Sequence, residues 1–136
     1  MAEFIFQHLA EQAGVSDRFE VSSAAVSTEE IGNDIYPPAK NVLYKHNVPF
    51  TNHSARQISR HDCTYYDYII CMDKSNIRRL SYLTDNIDNN KVSMLLSWAG
   101  IDRDVADPWY TDNVEAAYRD IYVGCEALLN KLLENN

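Results

Sequence analysis

The chain has 136 residues, enough for one α/β or α+β domain and too few for two with separate cores. Apolar residues make up 46% and charged residues 24%, which is typical of soluble globular proteins and argues against disorder. The formal net charge of -8 argues against a nucleic-acid partner, because contact with phosphates needs clustered Lys and Arg.

Neither a membrane span nor a disulfide framework is expected. No run of eighteen apolar residues occurs, and the opening segment, with Glu3 and Glu11, does not resemble a signal peptide. The cysteine count is odd and no Cys-x-x-Cys spacing occurs among Cys63, Cys71 and Cys125. We therefore expect a cytoplasmic protein with reduced thiols, no metal and no cofactor, and no membrane partner.

The first half of the chain predicts two helices around one strand. Residues 1–13 place apolar side chains on one helical face, and Gly14 can end that helix. Residues 19–26 are typical of a short strand. A proline pair then opens a second helix near 37–47, which ends before Pro49.

The middle of the chain predicts a buried strand between helical segments. Residues 55–59 are a plausible short strand, 61–66 a helical turn, and 68–72 a nearly continuous apolar run typical of a parallel strand. Asp73 follows as the cap of a helix expected to bury Ile77, Leu80 and Leu83.

Residues 92–98 predict the last strand, and a long helix closes the chain. Asp112, with Glu115 three residues on, is similar to a capping box at its start. The apolar stripe of this helix consists of Val114, Ala117, Ile121, Cys125, Leu128 and Leu132. Alternating helices and strands predict an α/β fold over 1–136, with a mainly parallel sheet flanked by helices in three layers. Ligands are then expected in the loops after 26, 72 and 98.

The loop after the last strand contains Asp107-Pro108-Trp109-Tyr110. Asp-Pro is most often a simple turn signal. The alternative is that Asp107 is a general acid, whose pKa is raised by two adjacent aromatic side chains that exclude water.

Six short segments occur in the order and at about the separations seen in low-molecular-weight protein tyrosine phosphatases. The chain therefore resembles that family along its whole length. The segments are 22–27 (Ser-Ser-Ala-Ala-Val-Ser), 30–33 (Glu-Ile-Gly-Asn), 55–58 (Ala-Arg-Gln-Ile), 68–73 (Tyr-Ile-Ile-Cys-Met-Asp), 75–78 (Ser-Asn-Ile-Arg) and 107–110 (Asp-Pro-Trp-Tyr).

The resemblance implies hydrolysis of phosphotyrosine in proteins, or of small aryl phosphates, through a cysteinyl-phosphate and without a metal. Asp107 matches the family's general acid, and Trp109 and Tyr110 match the aromatic wall beside the substrate ring. Glu29 falls at the often aromatic position of the opposite wall, where a carboxylate would pack poorly on a ring.

Two further residues match the family's support for its phosphate-binding loop. Ser23 and His53 correspond to residues that hydrogen-bond to that loop and brace it. Without the resemblance, His53 would be interpreted as an ordinary surface or turn histidine.

The nucleophile that this reaction needs has no counterpart in the sequence. The family uses a Cys and an Arg separated by five residues, in a loop between the first strand and the first helix. The helix matching 1–13 begins directly after that loop, so Met1 falls just beyond it. The three cysteines have Ile69, Ile77 and Lys131 at the required spacing instead. We therefore expect an inactive chain that lacks the first strand and the loop, and a start at an internal methionine would explain this.

The missing strand is central in the family's sheet, so we expect either self-association through the exposed gap or a rearranged sheet. Two other functions stay open. One is a non-catalytic relative that binds a protein or phosphopeptide, with Arg56 or Arg60 as anion contacts. The other is an arsenate reductase, for which Cys71 lies near one redox position but Arg78 occupies the position of its pair.

Overall fold

A computed structural model of the protein describes residues 1–26, 32, 34–51, 53–83, 87–106 and 113–134. In this part of the chain the helices are α1 (Ala2–Gln12), α2 (Pro37–Lys45), α3 (Arg60–Tyr65), α4 (Lys74–Leu83) and α5 (Val114–Glu134). The strands are β1 (Ile69–Cys71) and β2 (Val92–Met94), and short 3₁₀ turns cover Ser16–Arg18, Asn89–Lys91 and Leu95–Ala99.

The predicted α/β class with a parallel sheet is confirmed. β1 and β2 pair in parallel, with Ile70 opposite Ser93. The predicted strands 19–26 and 55–59 are reduced to one parallel bridge between Ala25 and Gln57. Segment 55–59 does not continue as a strand because Ser59 is the N-cap of α3. Its hydroxyl accepts a hydrogen bond from the Asp62 N–H at 3.2 Å.

The predicted strand 92–98 is wrong beyond Met94. Leu95 and Leu96 are both 1% exposed. Consecutive side chains of a strand point to opposite faces, whereas a 3₁₀ turn can bury both on one side. The Ser97 hydroxyl donates to the Met94 carbonyl at 2.5 Å, and Gly100, at φ +74°, ends the turn.

The main core lies between α1, α5 and the turn after β2. All six residues predicted for the apolar stripe of the last helix are buried, which confirms that helix. α1 contributes Phe4, Ile5 and Leu9 to the same cluster. Gly124 of α5 lets Leu95 approach the helix backbone closely, because a Cβ at that position would lie 2.5 Å from Leu95 Cγ.

The end of α2 is attached to α5 by an aromatic and polar contact. The His46 ring stacks on Tyr118 with centroids 4.0 Å apart, and its Nε2 donates to the Glu115 carboxylate. That hydrogen bond lowers the pKa of Glu115 from its ordinary value.

α4 was predicted to bury three residues, and for two of them the prediction is wrong. Leu80 is 2% exposed and packs in a smaller cluster with Cys63 and Cys71, whereas Ile77 and Leu83 are exposed. The reason is that α4 packs mainly on the short strand β1, so only one line of its side chains is covered. None of the helices in the described ranges combines the length and the apolar character needed to cross a membrane.

Candidate active site

The carboxyl end of β1 is built by an exchange of hydrogen bonds around Asp73. The Asn76 side-chain oxygen accepts from the Met72 N–H at 3.0 Å, and the Asp73 carboxylate accepts from the Asn76 N–H at 2.7 Å. Asp73 therefore caps α4, as predicted. Ligands of open parallel sheets bind at this edge. These hydrogen bonds therefore fix the backbone from Met72 to Asn76 beside the candidate site.

Residues 103–106 are joined to this edge from two sides. The Val105 N–H donates to the Met72 carbonyl at 2.9 Å. The Ala106 N–H donates to Asp120 Oδ2 at 3.0 Å, and the Arg103 guanidinium donates to both oxygens of Asp120 at 2.8 Å. The arginine also lowers the pKa of Asp120. The backbone directly before position 107 is thus held by both the sheet and α5.

The structure does not describe the predicted general acid or the predicted walls of the substrate pocket. Asp107, Trp109, Tyr110 and Glu29 lie outside the described residues. Their roles stay predictions.

Both residues predicted to support a phosphate loop lie at the first turn of α1. The Ser23 hydroxyl donates to the Glu3 carboxylate at 2.8 Å. The His53 ring stands edge-on to Phe4, with centroids 6.2 Å apart, and its backbone N–H donates to Asp34 at 3.0 Å. The structure therefore brings Ser23 and His53 to the same helix end.

The carboxylates that accept hydrogen bonds from Ser23 and His53 are those of Glu3 and Asp34, and neither of them was predicted from the sequence. Glu3 carries a weak signal, because an acidic residue in the first turn of a helix is favoured by the helix dipole. Asp34 shortly precedes the proline pair of α2 and also pairs with Lys40. Neither position predicts its partner, since these contacts join residues about twenty positions apart.

The three thiols are poorly suited to act as nucleophiles. Cys63, Cys71 and Cys125 are all buried and unpaired. Burial, with a smaller effect of Asp73, raises the pKa of Cys71 to about 11. Burial likewise raises the pKa of Cys125 to about 12. The attacking form of cysteine is the thiolate, so at neutral pH these two side chains remain protonated and inert.

Arg56 is engaged within the fold. Its guanidinium donates to Asp62 at 2.7 Å and to the Ser22 hydroxyl at 3.2 Å. The arginine, with help from Ser59, lowers the pKa of Asp62 to about 2. The geometry therefore speaks against Arg56 as a contact for an external anion, because its guanidinium is already paired with the largely buried Asp62 carboxylate.

The family model described as low molecular weight phosphotyrosine protein phosphatase matches residues 1–136. The chain belongs to the low molecular weight phosphotyrosine protein phosphatase family.

Named relatives of this phosphatase family cover nearly all of the chain. The low molecular weight phosphotyrosine protein phosphatase of Rattus norvegicus is 35% identical over 96% of this chain and 85% of its own length. The crystal structure of YfkJ from Bacillus subtilis superposes with a TM-score of 0.93 at 33% identity, covering 99% of this chain and 86% of that one. SP-PTP, the low molecular weight protein tyrosine phosphatase from Streptococcus pyogenes, gives a TM-score of 0.85 at 29% identity over 96% and 82% of the two chains. The predicted family and its fold are confirmed.

Proposed function

We propose that these 136 residues form the acid-donating and substrate-contacting part of a phosphotyrosine phosphatase and do not hydrolyse phosphate esters by themselves. Family membership makes phosphotyrosine in proteins, or a small aryl phosphate, the expected substrate. The observation that carries the proposal is the state of the thiols. All three are buried, and none has an Arg at the family's spacing.

Asp107 is proposed as the general acid, with Trp109 and Tyr110 as one wall of the substrate pocket and Glu29 in the other. A phenolate leaving group needs a proton donor, which is the role of such an acid. The anchoring of residues 103–106 to Met72 supports this assignment, since it holds the preceding backbone at the carboxyl end of β1.

A turnover assay tests the proposal directly. Purified protein is incubated with para-nitrophenyl phosphate and with a phosphotyrosyl peptide, and released phosphate is compared with buffer. No turnover is expected. Turnover that Asp107→Ala lowers by roughly two to four orders of magnitude would contradict it.

Intact mass spectrometry after acid quenching provides a second measurement, because a cysteinyl-phosphate adds one phosphoryl group to the chain. The expected spectrum contains only the unmodified mass. A phosphorylated cysteine would show that one of the buried thiols is reactive after all.

We further propose that two copies associate through the open edge of β1. Within the described ranges, β1 pairs only with β2, and an unpaired strand edge favours pairing with another chain. Tyr68, the residue immediately before this strand, is 47% exposed. A charge there opposes edge pairing, so Tyr68→Lys is expected to shift a dimer to monomer.

Size-exclusion chromatography with light scattering measures this shift. Tyr44→Lys is the matched control, because Tyr44 is an exposed tyrosine on α2. A monomer at all concentrations, or equal effects of the two substitutions, would contradict association through β1.

A further inference from the structure

α4 differs in charge from the protein that carries it. Its ten residues include Lys74, Arg78 and Arg79 and no Asp or Glu. The whole chain has 20 acidic against 12 basic residues. A net positive helix on a negative protein is a local field of opposite sign, which attracts anionic groups over short distances.

The basic side chains of α4 are on its solvent side. Leu80 is the buried residue of this helix, and all three basic residues are exposed. Lys74, Arg78 and Tyr82 follow one another at intervals of four, so they form one line along the helix. Tyr82 is 80% exposed. Lys74, Arg78, Arg79 and Tyr82 are called the α4 basic face below.

Within the described part of the chain, ion pairs with acidic side chains do not neutralise this face. Among the residues that the structure describes, the side chains of Lys74, Arg78 and Arg79 form no ion pair. Two carboxylates lie at the start of the helix and accept hydrogen bonds from its backbone: Asp73 accepts from the Asn76 N–H, and Asp104 accepts from the Lys74 N–H at 3.1 Å. Arg78 and Arg79 lie at least one turn further along the helix. Like charges four residues apart destabilise a helix, and an anionic partner would relieve that repulsion.

We infer that the α4 basic face is a docking surface for an acidic polypeptide segment with apolar side chains beside its carboxylates. Guanidinium groups match carboxylates in charge and in planar geometry. Exposed Ile77, Tyr82 and Leu83 supply apolar and aromatic area next to the charges. The helix begins at the carboxyl end of β1, so the face extends outward from the edge that carries the candidate active site.

A short acidic segment fits this surface better than an anionic membrane. A membrane presents its charge over a wide area and is repelled by a chain of net charge -8. A peptide lies within about 8 Å of the helix, the distance over which charges act at physiological salt, and so responds mainly to the local positive field. This inference does not depend on phosphatase activity.

Fluorescence anisotropy tests the surface with a fluorescein-labelled peptide of alternating glutamate and leucine. Saturable binding is expected at low salt, weakening as salt is added. The double variant Arg78→Ala/Arg79→Ala is expected to bind about tenfold more weakly, as two exposed charge pairs are lost. The control Arg18→Ala/Lys131→Ala removes the same number of charges from exposed positions and should stay within about twofold of the original protein.

Several outcomes would overturn the inference. These are no saturable binding to the original protein, equal weakening in the two double variants, or equal binding of a peptide with glutamine in place of glutamate. Phosphatidylserine vesicles and light scattering at low salt are run in parallel. If only vesicle binding, or only self-association, is lost in Arg78→Ala/Arg79→Ala, the face serves a membrane or a second copy instead.

Discussion

Substitution of Gly124 by alanine probes the tightest contact of the main core. The added Cβ would lie 2.5 Å from Leu95 Cγ and 3.1 Å from each of its Cδ atoms. Alanine favours a helix by about 1 kcal/mol relative to glycine. Overpacking of a core costs about 1 to 3 kcal/mol, and the upper end applies here because Leu95 is 1% exposed and the contacting atom is its branch carbon. The expected net loss is about 2 kcal/mol.

A double-mutant cycle with Leu95→Ala separates the clash from other effects. Leu95→Ala alone should cost about 3 kcal/mol through the cavity that it leaves. In the double variant the clash is gone and the helix preference of alanine remains, so the total should again be about 2 kcal/mol. The two changes are then coupled by about 3 kcal/mol.

Urea unfolding followed by circular dichroism at 222 nm measures these free energies. Val123→Ala, at an exposed neighbouring position of α5, is the control and should change stability by less than about 0.5 kcal/mol. A Gly124→Ala protein that is as stable as the original, or strictly additive effects in the cycle, would refute the close approach of Leu95 to α5.

Two further predictions concern carboxylates whose pKa is lowered in the folded state. Asp62, with a pKa of about 2 beside Arg56, should stabilise the fold by about 2 kcal/mol above its ordinary pKa of 3.8, and this contribution should be lost as the pH falls through about 2. Urea midpoints measured from neutral to acid pH should therefore converge for the original protein and Asp62→Asn, and a constant difference would contradict the pairing. For Glu115, ¹³C NMR of the carboxyl group should give a pKa below its ordinary value that rises in His46→Gln; an unchanged pKa would show that His46 is not its main partner.

Long, strongly patterned elements could be predicted from the sequence, whereas short ones could not. α5 has an apolar stripe over about five turns. Each predicted member is buried because a long amphipathic helix packs on the core through that stripe. The predicted strand 92–98 failed since its apolar residues do not alternate, so burial of Leu95 and Leu96 together required a 3₁₀ turn. In α4, spacing alone suggested burial for Ile77, although too little of the fold packs beside it.

Site residues could be predicted only where the order and spacing of the family's sequence segments assigned them. Ser23 and His53 were placed by the order of the family segments, and the structure shows both at the first turn of α1. The partners Glu3 and Asp34 could not be paired with them, because a hydrogen bond between distant positions leaves no local pattern. The same holds for the contact of Asp120 with residues 103–106.

The carboxylate of Asp120 couples the position of α5 to that of residues 103–106. It receives three hydrogen bonds from residues 103 and 106, while residue 105 between them is tied to Met72. A small rotation or slide of α5 would therefore pull on the chain just ahead of position 107. Substitutions along this helix, even far from the sheet, are therefore expected to shift the backbone just before Asp107, the proposed acid, without altering a proposed substrate contact.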